Sequence, residues 1–152
     1  MTLILVTIFY MYNRRLHGES DLFLFFGHGG GEEMCEARKL RRVVPHCPSA
    51  WLWGCSSGRL RASGVHPPHG LALAYLLSGG RQVLGALWDV TDRDLDKVSL
   101  DTLGRLLGPD AQQGGQGCLS EALLVSRESC RLPYAVGVAC VVYGLPCALT
   151  YD

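Results

Sequence analysis

The chain of 152 residues carries no net formal charge, with 14 Lys and Arg against 14 Asp and Glu, so its surface as a whole offers no footprint for nucleic acid or an anionic membrane. Its seven cysteines, at positions 35, 47, 55, 118, 130, 140 and 147, are odd in number and include no C-x-x-C pair. Nor do they show the regular spacing of a disulfide framework, and reduced thiols in the cytosol or nucleus fit best. No internal repeat is visible. No apolar run is long enough to span a bilayer: the opening MTLILVTIFYMY is short, and its positive charges, Arg14 and Arg15, follow it rather than precede it. That opening reads as a strand or as a segment foreign to the domain. A signal peptide fits less well, because no small-residue cleavage site follows. The length suits a single domain with a real core.

What is present is a series of short apolar runs that stop abruptly. LFLFF at 22–26 has the length and aromatic content of a strand buried on both faces, as parallel sheets require, and it ends in GHGGGE. Residues 32–42, EEMCEARKLRR, place acids first and bases last, which suits a helix dipole. AWLW at 50–53 repeats the opening pattern and ends in GCSSG. GLALAYLL at 70–77 predicts a compact helix closed by Ser78, Gly79 and Gly80, and residues 82–87 a third strand. From Thr91, the recurrence of Leu95, Val98, Leu103 and Leu106 predicts a helix to about Leu107, followed by a connector at 108–117. Residues 120–129 predict a helix capped by Ser120, and residues 134–142 a fourth apolar strand. Strands alternating with helices argue for an α/β layer fold.

In such folds catalytic groups gather beyond the carboxyl ends of the strands. His28 and Cys55 each stand directly after a strand, boxed by glycines. If the two strands are neighbours, imidazole and thiol face one cleft, and the imidazole can take the thiol proton or stabilise the thiolate. Attack on an amide creates an oxyanion that needs backbone donors, for which the N–H groups of Gly29 and Cys55 are the natural candidates. Taken singly, a histidine after a strand and a free cysteine are more often structural. It is their matching contexts that point to chemistry. The other six cysteines read as buried hydrophobes, and HPPH at 66–69 as a proline turn rather than a metal site.

A third feature is WDVTDRDLDK at 88–97, with four acids in eight residues. Thr91 with Asp94 three positions on makes an acidic version of the capping box. Asp92 and Asp96, four apart, share a face and repel mildly, which a cationic ligand would relieve; an arginine side chain suits, since carboxylates grip guanidinium in a bidentate fork.

LFLFFGHGGGEEM, WLWGCSSGRL, LGALWDVTDRDLDK and YAVGVACVVYGLP, in that order, resemble the C-terminal protease domain of the separase (separin) family. The likeness covers about residues 21–149. It implies a caspase-like three-layer α/β sandwich with a mostly parallel sheet, formed here by residues 21–150 and truncated at its N-terminal side, with 1–20 unmatched. It implies a cysteine endopeptidase with His28 and Cys55 as catalytic dyad, and Gly29 and Cys55 as oxyanion donors. Cleavage would follow arginine in the kleisin subunit of cohesin, with the arginine held by Asp96 first, Asp92 and Asp94 behind it, and Trp88 alongside. Securin would inhibit as a pseudosubstrate. The resemblance implies no metal or organic cofactor, no direct contact with nucleic acid or membrane, and a place in nucleus and cytoplasm. Two other readings remain: a catalytically silent fragment acting as an interaction module, and a caspase-like protease of the CHAT type with other substrates.

Overall fold

The computed structural model describes residues 3–7, 21–31, 40, 47–108, 117–146 and 148–149. Its centre is a five-stranded sheet in the order β1 (Leu3–Thr7), β2 (Leu22–Phe26), β3 (Ser49–Trp53), β6 (Gln82–Ala86), β8 (Cys140–Gly144). The first four strands run parallel and β8 pairs antiparallel on the edge. The opening segment thus contributes a strand to the same sheet, with Leu5 opposite Leu24.

Alternation along the strands builds two cores. Leu22, Leu24, Trp51, Trp53 and Leu84 point to the face covered by α2 (Asp92–Leu107) and α3 (Leu119–Ser126). Phe23, Phe25, Ala50, Leu52 and Val83 point to the opposite face, covered by α1 (Leu71–Leu77) through Leu71, Ala72, Ala74 and Tyr75. Phe23 stacks on Tyr75 with ring centroids 6.2 Å apart. This two-sided burial is why the strands read as continuous apolar runs rather than as alternating ones. Helix, sheet and helix make three layers, as the resemblance implies.

Four local expectations need correction. The strand expected over 134–142 begins only at Cys140; residues 132–139 instead close turns, with Ala135 and Val136 N–H both donating to the Leu132 carbonyl, and a 3-10 turn at Gly137–Ala139. Pro133 lacks the N–H a ladder needs, and Val136 and Ala139 bury themselves without pairing as strand. HPPH is not a turn. It is β5 (His66–His69), antiparallel to β4 (Arg61–Ser63), and the reversal falls at Gly64, whose φ is 60°. Prolines are tolerated on such an exposed edge. The cap of α3 is Cys118, not Ser120; the Cys118 Sγ and Ser120 Oγ lie 3.0 Å apart, and this contact lowers the thiol pKa. Finally, Thr91 caps α2 by position, but its hydroxyl bonds the Asp94 carboxylate at 3.3 Å instead of a backbone N–H. The helix expected at 32–42 lies outside the described residues apart from Leu40, which is helical and fully buried. Most of the 108–117 connector also lies outside them.

Candidate active site

Because β2 and β3 pair in register, Phe26 opposite Trp53, the strands end level. The pairing continues one step further through the Gly27 N–H, which donates to the Trp53 carbonyl at 3.2 Å. The loops carrying His28 and Cys55 therefore leave the sheet side by side. They are also pressed together. A Cβ built on Gly54 would overlap the Gly29 carbonyl oxygen and lie 2.7 Å from that of Gly27, so only glycine lets the backbones approach this closely. Gly29 has a φ of 68°, a left-handed turn that directs the chain away immediately after His28.

The third strand end supplies the other wall. After β6, residues 87–91 lie beside the Cys55 loop. The Cys55 thiol donates to the Val90 carbonyl at 3.1 Å, and the Val90 N–H lies 3.4 Å from the sulfur. Ser57 is buried and staples the strands: its hydroxyl donates to the Leu52 carbonyl at 2.7 Å and accepts from Ala86 N–H at 2.9 Å. The Ser56 N–H goes to the Trp88 carbonyl at 3.2 Å, and the Gly58 N–H to Ala86 at 2.8 Å. Among the described residues, none of these bonds uses the amide N–H of Gly29 or Cys55.

Of the five described cysteines, Cys47, Cys130 and Cys140 are buried. Burial pushes the Cys140 thiol up to about 12, so it stays protonated and inert at neutral pH. Cys118 is half-buried, but it lies in β7 (Gly117–Cys118), outside the main sheet. Cys55 alone among them stands at the carboxyl edge beside a histidine loop.

The acids separate into distinct roles. Asp92 meets His28 across the end of β3, with Nδ1 to Oδ2 at 3.8 Å; the side chains are 89% and 65% exposed, so the contact is loose and screened by solvent. Asp96 is exposed one turn along, and no described residue pairs with its carboxylate. Asp94 turns inward: it is 6% exposed, accepts from Arg131 N–H at 3.3 Å and from the Thr91 hydroxyl, and sits 3.8 Å from the Lys97 ammonium. It ties α2 to the turns at 130–139 through these partners. Asp94→Ala is accordingly expected to lower stability by roughly 1–3 kcal/mol, since the buried carboxylate's bonds to the Arg131 N–H and the Thr91 hydroxyl are lost. Asp96→Ala should change it by less than about 0.5 kcal/mol, and urea midpoints would compare them. Trp88 is 43% exposed, and its indole N–H donates to the Ala135 carbonyl at 2.8 Å, anchoring the same turns from the strand side. Among the described residues, no group of three His, Cys, Asp or Glu is placed to hold a metal ion.

Sequence reasoning missed Ser56, Ser57, Asp89 and Val90. The serine doublet between Cys55 and Gly58 was the one visible signal; the rest act through contacts between distant segments.

A family model described as "Separin, protease domain" matches residues 13–95. The Separin of Saccharomyces cerevisiae is 41% identical over 130 residues, covering 84% of this chain and 8% of the relative. The Separin of Schizosaccharomyces pombe is 40% identical over 129 residues, covering 84% and 7%, and that of Mus musculus 37% over 131 residues, covering 86% and 6%. A crystal structure of the Saccharomyces cerevisiae separase–securin complex superposes with a TM-score of 0.77 at 37% identity, over 88% of this chain and 9% of that one. The chain thus spans less than a tenth of the length of these relatives, and over 88% of its residues it shares the fold of the Saccharomyces cerevisiae separase. On sequence and fold together, the chain belongs to the separin protease-domain family.

Proposed function

We propose that the chain carries the catalytic centre of a separase-type cysteine endopeptidase that cleaves the kleisin subunit of cohesin after arginine. The observation that carries this reading is the level ending of β2 and β3, which delivers the His28 and Cys55 loops in backbone contact. His28 takes the Cys55 proton. The thiolate attacks the carbonyl after the arginine, forming an S–C bond, and the oxyanion is held by the Gly29 and Cys55 amides. Collapse breaks the peptide C–N bond, and the imidazolium protonates the leaving amine. Water, activated by the imidazole, then hydrolyses the thioester and restores the thiol. The exposed Asp96 carboxylate pairs with the substrate guanidinium, with Asp92 and the Trp88 face near it. Securin binds the same cleft as a pseudosubstrate, in a nuclear or cytoplasmic setting that keeps thiols reduced.

An acyloxymethyl ketone ending in arginine should label Cys55, and profiling should select arginine before the cut. Stable peptide binding without labelling would favour the silent interaction module, and preference for another residue a CHAT-type protease. Asp96→Asn is expected to lower kcat/KM for an arginine peptide about tenfold to a hundredfold, by loss of a charge-assisted pair. Steady-state kinetics against an uncharged analogue checks this, because the discrimination rather than the basal rate should fall.

A further inference from the structure

We propose that Ser56 and Asp89 form a positioning pair that fixes the orientation of Cys55 for attack, an inference that rests on the cysteine-protease reading above. Ser56 has a φ of 55° and is the one non-glycine residue with positive φ among the described residues. That conformation disfavours any side chain with a Cβ and persists only where the surroundings hold it. Here they do so at every polar group of the residue. The Ser56 hydroxyl donates to the Asp89 carboxyl oxygen Oδ1 at 2.6 Å, a short bond. Its N–H donates to the Trp88 carbonyl at 3.2 Å, and its carbonyl accepts from the Arg59 N–H at 3.0 Å. One residue back, the Cys55 sulfur meets both backbone groups of Val90, the residue after Asp89.

The nucleophile and the residue after it are thus bound, rung by rung, to residues 88–90. Ser56 turns the chain sharply just after Cys55. Relaxing that turn rotates the peptide planes flanking Cys55, moving the sulfur and the oxyanion-facing amide together. Asp89 touches neither substrate nor nucleophile in this arrangement; it works through Ser56. It is also the acid of the 88–97 cluster that neither the helix cap nor the arginine-facing wall accounts for.

The test uses the full chain with Ser56→Ala, Ser56→Gly, Asp89→Ala and Asp89→Asn. The readouts are kcat and KM on an arginine peptide, labelling by the arginine ketone, alkylation by iodoacetamide, and thermal melting. Ser56→Ala and Asp89→Ala should lose about tenfold to a hundredfold in kcat and in ketone labelling, with KM changed by less than about threefold, because alignment rather than binding is lost. Iodoacetamide, which needs no aligned peptide, should react within about threefold of the unmodified rate. Asp89→Asn keeps an acceptor oxygen and should regain most of the lost rate, and Ser56→Gly, at ease with positive φ, should fall between. Unchanged kcat in folded Ser56→Ala and Asp89→Ala would overturn the pairing, as would an equal loss in Asp89→Asn and Asp89→Ala. Should Ser56→Ala fail to fold, the two Asp89 variants decide by themselves. If the unmodified chain is not labelled at Cys55, the protease reading falls and the pair with it; labelling of the unmodified chain with indifferent variants overturns the pair alone.

Discussion

Replacement of Cys55 by alanine or serine is expected to abolish cleavage of an arginine peptide, by at least about 10⁴-fold, while leaving the chain folded. Sulfur supplies the electrons for the S–C bond, and no other described thiol can take its place: Cys47, Cys130 and Cys140 are buried, and Cys118 stands outside the main sheet. The fold should survive, because the Cys55 side chain is only half-buried and contributes two hydrogen bonds to the Val90 backbone rather than core packing. His28→Ala should cost about 10²- to 10⁴-fold, the range of a general acid–base step, and it removes an 89% exposed side chain whose partner, Asp92, is itself in solvent. Single-turnover cleavage with matched thermal melts checks both variants. Retained proteolysis by either would remove that residue from the dyad.

Gly54→Ala is expected to lower activity by on the order of 10²-fold although it touches no reacting atom. Its added methyl would overlap the Gly29 carbonyl and crowd that of Gly27, both backbone atoms, so no flexible side chain can yield. The two strand ends must separate. Misplacement of catalytic groups by about 1 Å costs on the order of 10²-fold in rate, and overpacking of this kind about 1–3 kcal/mol in stability. The same substitution at Gly104 provides the contrast. That glycine lies in α2 with nothing near its Cβ position, so alanine there should stabilise by roughly 0.5–1 kcal/mol and leave labelling of Cys55 unchanged. Normal ketone labelling in Gly54→Ala would show that the close approach of the two loops does not govern the site.

How far these features were legible differs by length scale. LFLFF and AWLW announced buried strands because a strand covered on both faces must be apolar at every position, and the helix at 92–107 announced itself by its 3.6-residue period. The apolar run at 134–142 misled because burial of Val136 and Ala139 in tight turns leaves the same composition as burial in a strand. Pattern paired Asp94 with Thr91 and set Asp92 and Asp96 on one face, but it could not show that Asp94 is drawn inward by the Arg131 N–H, from 37 residues away, or that the exposed Asp89 bonds Ser56, 33 residues away.

By itself, then, the sequence determined that 22–26, 50–53 and 82–86 become central strands, which glycines follow the first two, and that a histidine and a cysteine stand at two strand ends; those are properties of local composition and period. Only the tertiary structure decided that the two strands are neighbours in register, that the loops touch through Gly54 and Gly29, and that Asp92 meets His28 while Asp89 meets Ser56. The reason is that a hydrogen bond or a backbone contact between distant residues leaves no mark on either segment alone. Its energy depends on a distance that exists only after the sheet has assembled.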